Sequence, residues 1–131
     1  MLQRIEFLLS RHVTFAIETT LATRSYKNLV ETAKKSGYQV ILLFFWLSSP
    51  EMDEMRVASR VASGGHNIPQ NVIHRRYWAG LQNLFEIFVP IVDLWSIYNN
   101  TKELELVVER NIIMNTSLFS KIKVSCQNKK K

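Results

Sequence analysis

The stretch YQVILLFFWL at positions 38–47 decides the fold. It is almost continuously apolar, it is rich in β-branched and aromatic side chains, and it follows Gly37 at the end of a helical pattern. Such a run is typical of a strand in a parallel sheet, where helices cover both faces. The sequence therefore predicts a central strand that is covered on both sides.

Working outward toward the N-terminus, helical spacing of apolar residues predicts helices at 2–11 and 26–35. Between them, residues 13–17 form a short, β-prone apolar run, which predicts a buried strand. The order helix, strand, helix, strand with short connections is typical of βαβ units. We therefore expect an α/β fold with a parallel sheet and flanking helices.

The C-terminal half predicts further elements of the same fold. The segment Ser48-Ser49-Pro50 has the features of a helix start, so a helix is expected at 50–62 before two consecutive glycines. Helical spacing then continues from residue 67 to Pro90. A third strand is expected at 94–98, and 104–108 with 112–114 predict an edge hairpin. We expect one domain at residues 1–120 and a basic flexible tail at 121–131.

Composition and charge indicate which kinds of partner and which cellular compartment to expect. With 17 Lys and Arg against 11 Asp and Glu, the net charge of +6 favours an anionic partner, although the lysine-rich tail carries part of the excess. Nucleic-acid binding would rest on this charge alone and is not favoured. The single cysteine, Cys126, excludes an internal disulfide and a cysteine-based zinc site. The apolar runs are too short to span a membrane, so we expect a cytoplasmic protein without a membrane partner.

A polar segment, Glu18-Thr19-Thr20-Leu21-Ala22-Thr23-Arg24, follows the predicted strand at 13–17. Ligands of open parallel sheets bind beyond the carboxyl ends of strands. A carboxylate, hydroxyls and a guanidinium there could orient a sugar or nucleotide hydroxyl, take its proton, or hold Mg²⁺ through water. Alternatively, Thr20 or Thr23 caps the next helix and Glu18 pairs with Arg24. Spacing alone does not decide between these interpretations.

A second group of polar residues is rich in arginine and lies after the predicted central strand. Arg56 and Arg60 share one helix face, His66 follows the double glycine, and Arg75-Arg76 lie on the next helix. Two helices with a glycine hinge and arginines are typical of a lid that closes on phosphate. The alternative is a helical hairpin with a solvated basic face.

The position after the predicted third strand carries amide side chains. Asn100 could contact a base or sugar there, and the alternative is a plain turn.

Three segments in order are FAIETTLATRSY at 15–26, KSGYQVILLFFWLSSPE at 35–51 and RVASRVASGGHNIPQNVIHRRY at 56–77. Together they resemble the zeta-toxin-like family of P-loop kinases, in particular its branch of small bacterial predicted ATPases. The resemblance spans residues 5–100. It implies a kinase that uses ATP and Mg²⁺ to phosphorylate the 3′-hydroxyl of UDP-N-acetylglucosamine, a toxin activity that an antitoxin partner restrains.

The resemblance also assigns roles to individual residues. By motif position, Glu18 and Thr20 match the sugar-nucleotide pocket of the family. Arg60, His66, Arg75 and Arg76 fall in or beside its phosphate-facing lid, and we expect the three arginines among them to be catalytic. From their positions in the sequence, we expect Arg24 to bind substrate, Arg56 to belong to the lid and Asn100 to contact the nucleotide cofactor.

The sequence departs from the family pattern at the phosphate-binding loop. Relatives carry a strand and a G-x-x-x-x-G-K-[ST] loop before the region that resembles residues 1–11. The four glycines, Gly37, Gly64, Gly65 and Gly80, precede no Lys-Ser or Lys-Thr pair. We therefore expect an N-terminally truncated kinase domain that does not bind ATP and Mg²⁺ productively alone.

Such a chain would act with a complementary chain, or as a non-catalytic binding module for a sugar nucleotide or an antitoxin-like protein. A homodimer would cover the open side of an interrupted sheet.

Overall fold

The computed structural model describes residues 2–130. Within that range the helices are α1 (Leu2–Ser10), α2 (Tyr26–Lys35), α3 (Pro50–Ala62), α4 (Gln70–Asn83) and α5 (Thr116–Lys130), and a π-helical turn, Leu84–Phe88, extends α4. The strands are β1 (Ile41–Trp46), β2 (Leu94–Asn99), β3 (Glu105–Glu109) and β4 (Ile112–Ile113). They form one mixed sheet in the order β1-β2-β3-β4, in which β1 and β2 are parallel and the other pairs are antiparallel.

Strand β1 forms where the sequence predicts it, but it lies at the edge of the sheet and one of its faces is open. Successive side chains of a strand point to opposite faces. Leu42, Phe44 and Trp46 belong to the core side, whereas Ile41, Leu43 and Phe45 are 55%, 52% and 51% exposed. The prediction of a central strand covered on both faces is therefore wrong, because the helices pack on one side of β1 only.

Residues 13–17 do not form the predicted buried strand. Val13 and Ile17 are exposed, and the segment runs as irregular chain. The Phe15 ring lies edge-on to the Tyr38 ring, with centroids 6.0 Å apart. The Tyr38 hydroxyl donates a hydrogen bond to the Val13 carbonyl at 3.0 Å. A short apolar run becomes a strand only beside another strand, and within residues 2–130 no strand pairs with this one.

The remaining predicted elements are confirmed. Strand β2 is parallel to β1 with Ile41 opposite Leu94 and Trp46 opposite Asn99, and the crossover between them contains α3 and α4. The predicted edge hairpin is β3–β4, whose turn residues Arg110 and Asn111 have φ angles of 47° and 71°. Positive φ at both positions is what a tight two-residue hairpin turn requires.

Residues 121–130, which the sequence assigned to a flexible tail, belong to α5. Ile122 and Cys126 are buried in the core, and Lys123 lies with Nζ 4.6 Å from the centroid of the Phe85 ring. The prediction was wrong because it weighed the lysines and not the apolar positions between them. Helix α5 packs against α4 and β3, so the domain continues past residue 120.

Candidate functional site

The carboxyl ends of the parallel strands meet at one edge of the sheet. The Asn100 N–H donates to the Trp46 carbonyl at 2.8 Å, and the Ser48 N–H donates to Oγ1 of Thr101 at 3.1 Å. These hydrogen bonds hold the segments that follow β1 and β2 side by side. Their polar groups therefore lie at the edge where open parallel sheets bind ligands.

Helix α3 begins directly after β1 and brings Arg56 to this edge. The Arg56 Nη2 donates to the main-chain carbonyl of Asn100 at 2.5 Å, and the arginine side chain is half-buried. Two residues predicted separately, one on the lid and one after the third strand, are thus in contact. The contact uses the carbonyl of Asn100 and not its side-chain amide.

Asp53, Arg56 and Arg60 form a charged strip along α3. Spacings of three and four residues place them on one face of the helix. Burial raises the pKa of the Asp53 carboxyl, while the positive charges of Arg60 and then Arg56 lower it. Arg60 is exposed. The strip therefore offers one exposed guanidinium, one anchored guanidinium and one half-buried carboxyl group. Asp53 was missed by the sequence analysis, although its spacing from the two arginines was a readable signal.

Tyr77 on α4 contacts the segment that follows β1. Its hydroxyl donates to the Leu47 carbonyl at 2.6 Å. Burial raises the pKa of Tyr77 to about 12; the nearby Trp46 indole lowers it, and the charges of Asp53 and Glu51 raise it further. The indole Nε1 of Trp46 is buried, and within the described residues it has no partner in hydrogen-bonding geometry. Trp46 and Tyr77 are therefore close neighbours without a hydrogen bond between them.

The three threonines of the 18–24 segment form local turns. The hydroxyls of Thr19, Thr20 and Thr23 accept hydrogen bonds from backbone N–H groups two residues further on, at 3.1, 3.3 and 3.1 Å. These are local turns and not helix caps, because the N-cap residue of α2 is Ser25 and it makes no side-chain capping hydrogen bond.

Glu18, Thr20 and Arg24 are exposed. Among the described residues no ion pair joins Glu18 to Arg24, and no hydrogen bond or ion pair links either of them to the arginines of α3 and α4.

The same segment is fixed to α4 through its backbone. Leu21 is buried with φ 59°, and its carbonyl accepts a hydrogen bond from Nδ2 of Asn83 at 2.7 Å. The carbonyl oxygen of Thr20 lies against Gly80, where any Cβ atom would overlap it. Glu18 and Thr20 are therefore presented to solvent by a segment that is anchored at both its buried side chain and its main chain.

Gly64 and Gly65 terminate α3. The Gly64 N–H donates to the Val61 carbonyl at 3.0 Å and the Gly65 N–H to the Arg60 carbonyl at 2.7 Å, which is the Schellman arrangement. Gly64 has φ +97°, and a Cβ on Gly65 would lie 2.9 Å from the Arg60 oxygen. Helix termination thus accounts for both glycines of the predicted hinge, and His66 is exposed in the loop that follows.

Arg75 and Arg76 are exposed on α4, which packs against α3 as a helical hairpin. Nε2 of His74 and a carboxylate oxygen of Glu54 form a contact that joins the two helices. A shallow depression of about 420 Å³ on α4 is lined by His74, Arg75, Trp78, Ala79 and Gln82. Within the described residues neither arginine hydrogen-bonds to the strip on α3.

Residues 2–130 contain no group of three or more His, Cys, Asp or Glu side chains close enough to hold a metal ion. None of the helices in that range is both long and apolar enough to cross a membrane.

The chain is similar to an uncharacterized protein of Haemophilus influenzae. The two are 34% identical over 71 residues, a match that covers 54% of this chain and 51% of that protein. The chain thus matches about half the length of its curated relative. No family model matches the sequence, and no solved structure matches it.

Proposed function

We propose that this chain is the acceptor-binding and lid part of a zeta-toxin-like kinase. It binds a sugar nucleotide such as UDP-N-acetylglucosamine and does not transfer phosphate alone. The observation that carries the proposal is the strip of Asp53, Arg56 and Arg60, which the Arg56–Asn100 hydrogen bond holds at the carboxyl edge of the parallel strands. The order of the three motifs supports the choice of family.

The strip has the chemistry that a sugar nucleotide requires. A planar guanidinium pairs with two phosphate oxygens at once, so exposed Arg60 binds the diphosphate. Arg56 has further N–H donors beyond the one used on Asn100, and Asp53 accepts from a sugar hydroxyl. Arg75, Arg76, Glu18 and Thr20 are exposed, and among the described residues none of them has a hydrogen bond or ion pair with the strip, so the proposal assigns the diphosphate to Arg56 and Arg60 alone.

The described residues do not fit the phosphates of ATP and its Mg²⁺. A phosphate loop needs glycines whose backbone N–H groups face the ligand. Here Gly37 has φ +90° just beyond α2, Gly64 and Gly65 end α3, and Gly80 packs against Thr20. All four glycines have other structural roles. The phosphate donor site therefore belongs to a complementary chain or segment in this proposal.

Titration calorimetry with UDP-N-acetylglucosamine tests the proposal. We expect binding that Arg60→Ala weakens about tenfold, which is about 1.4 kcal/mol. The matched control is Lys35→Ala, an exposed cation at the far end of α2 that should leave the affinity unchanged. N-acetylglucosamine without the nucleotide should bind weakly because it lacks the diphosphate.

The enzymatic half of the proposal is tested with ATP and Mg²⁺. The chain alone should show no phosphorylation of the sugar nucleotide. Absence of heat at millimolar sugar nucleotide contradicts the binding role, and phosphorylation by the chain alone contradicts the missing donor site.

A further inference from the structure

The open face of the sheet is apolar along β1. Ile41, Leu43 and Phe45 of β1 are each more than half exposed, and Phe45 stacks on Tyr98 of β2 with ring centroids 5.4 Å apart. Exposed apolar surfaces of this kind in soluble proteins mark interaction sites. Among the described strands β1 pairs with β2 alone, so β1 is an edge strand as well as the most exposed part of this face.

A groove of about 470 Å³ runs across this face, and one wall carries two opposite charges. Its apolar floor is formed by Ile41, Leu43 and Leu94, and one wall is formed by Glu109 and Arg110 at the β3–β4 turn. The polar residues Gln39, Ser96 and Tyr98 also line the groove. Both charged residues are exposed. Within residues 2–130 neither of their side chains takes part in an ion pair.

The charged wall is held rigidly against β2. The Arg110 N–H donates to Oγ of Ser96 at 3.1 Å. Asn111 accepts from the Trp95 N–H at 2.8 Å and donates through Nδ2 to the Asp93 carbonyl at 3.1 Å. The backbone of the turn is therefore fixed beside the apolar floor, so the loop itself need not be ordered when a partner binds there.

We propose that a second copy of this chain covers the face, with the two sheets packed face to face about a two-fold axis. An apolar floor requires an apolar partner surface. A wall with one acid and one base matches neither a purely acidic nor a purely basic partner, because one charge would then face a like charge. A two-fold copy places Arg110 opposite the partner's Glu109 and the reverse, so the surface is complementary to itself.

The dimer is expected to be reversible. Stable interfaces bury about 800 Å² per partner. Three half-exposed side chains cover only part of such an area, so the charged wall and Tyr98 must contribute the rest. Association should therefore depend on protein concentration and weaken when salt screens the charge pairs.

Sedimentation of the full chain over a range of concentrations tests the proposal. Wild-type protein should change from monomer to dimer, and Leu43→Glu should raise the dimer dissociation constant at least tenfold. The control is Met55→Glu, an equally apolar and more exposed residue on α3, which should leave the constant unchanged. Circular dichroism and thermal melting confirm that each variant is folded. A protein that stays monomeric at all concentrations, or a dimer insensitive to Leu43→Glu, overturns the proposal.

A charge exchange tests the identity of the partner. Glu109→Arg and Arg110→Glu should each weaken the dimer, because like charges then meet across the axis. The double variant restores opposite charges and should regain the wild-type constant. A double variant as weak as the two single ones overturns the proposal, and so does a monomer that captures a different protein through this face. Leu43, Glu109 and Arg110 lie outside the strip at Arg56, so sugar-nucleotide binding should be unchanged in their variants.

Discussion

The guanidinium of Arg56 donates to the main-chain carbonyl of Asn100, 44 positions further along the chain, at 2.5 Å. This bond connects the middle of α3 to the end of β2 and gives a half-buried carbonyl its partner. It also fixes the direction of the strip that contains Asp53 and Arg60. One interaction therefore contributes to the stability of the fold and to the geometry of the proposed site.

Replacing Arg56 with alanine should destabilise the protein. The carbonyl of Asn100 loses a charged donor in a half-buried position, and we expect the free energy of unfolding to fall by about 1 to 2 kcal/mol. Urea denaturation measures it. Arg60→Ala is the matched control, since Arg60 is exposed on the same helix and should change stability by less than about 0.5 kcal/mol. Equal losses in the two variants would contradict the anchoring role of Arg56.

Gly80→Ala should also destabilise the protein, although alanine has a higher intrinsic helix propensity than glycine. In an exposed helix this change would stabilise by about 1 kcal/mol. Here the new Cβ overlaps the carbonyl oxygen of Thr20, which is backbone and cannot rotate away, so we expect a loss of about 1 to 3 kcal/mol.

Thermal or urea unfolding gives the sign of the Gly80→Ala effect. Ala58→Gly on the exposed side of α3 is the comparison and should show the ordinary propensity cost. A stabilised Gly80→Ala variant would mean that the 18–24 segment is not packed on α4.

Ile122→Ala tests whether α5 is part of the core. Ile122 is fully buried, and truncation of a buried isoleucine costs about 2 to 5 kcal/mol. Val124→Ala, two positions further on and 50% exposed, should cost less than about 0.5 kcal/mol. Denaturant unfolding of both variants distinguishes an α5 that is packed in the core from a flexible tail. Small and equal effects would restore the prediction of a flexible tail.

The helices and most of the strands could be predicted because their apolar spacing is a local property. Helix α3 has the predicted bounds, with Pro50 in its first turn, and Gly37 ends α2 as expected. Long-range pairing could not be predicted. Residues 13–17 have strand-like composition, but no described strand lies beside them. The apolar sequence of β1 gives no sign that one face of the strand stays exposed.

The candidate site was predictable only in part, because its contacts join distant segments. Arg56 and Asn100 were both singled out, yet nothing in the sequence indicated that they touch. Asp53 and Tyr77 were missed, since a carboxyl group near a helix start and a tyrosine in an apolar pattern are common features. The double glycine suggested a hinge, whereas hydrogen bonds at the end of α3 account for it.

Tyr77 should make stability depend on pH in the alkaline range. Its pKa is raised from the usual 10.0 to about 12, chiefly by burial, so the folded protein keeps a proton that the unfolded chain has lost. Stability tied to this proton is fully present below about pH 10 and is lost as the pH rises toward about 12. The free energy of unfolding of the wild type should therefore fall across this window.

Tyr77→Phe separates this contribution from the titration of the lysines. Near neutral pH the variant should be less stable by about 1 kcal/mol, because the Leu47 carbonyl loses its 2.6 Å hydrogen bond. At about pH 11 the difference should be smaller, since only the wild type carries the penalty of ionising a buried phenol. Urea denaturation at both pH values measures the difference, and ultraviolet absorbance of the phenolate follows the ionisation directly. A wild-type advantage that grows with pH would mean that Tyr77 ionises more readily in the folded protein and would contradict its burial beside Leu47.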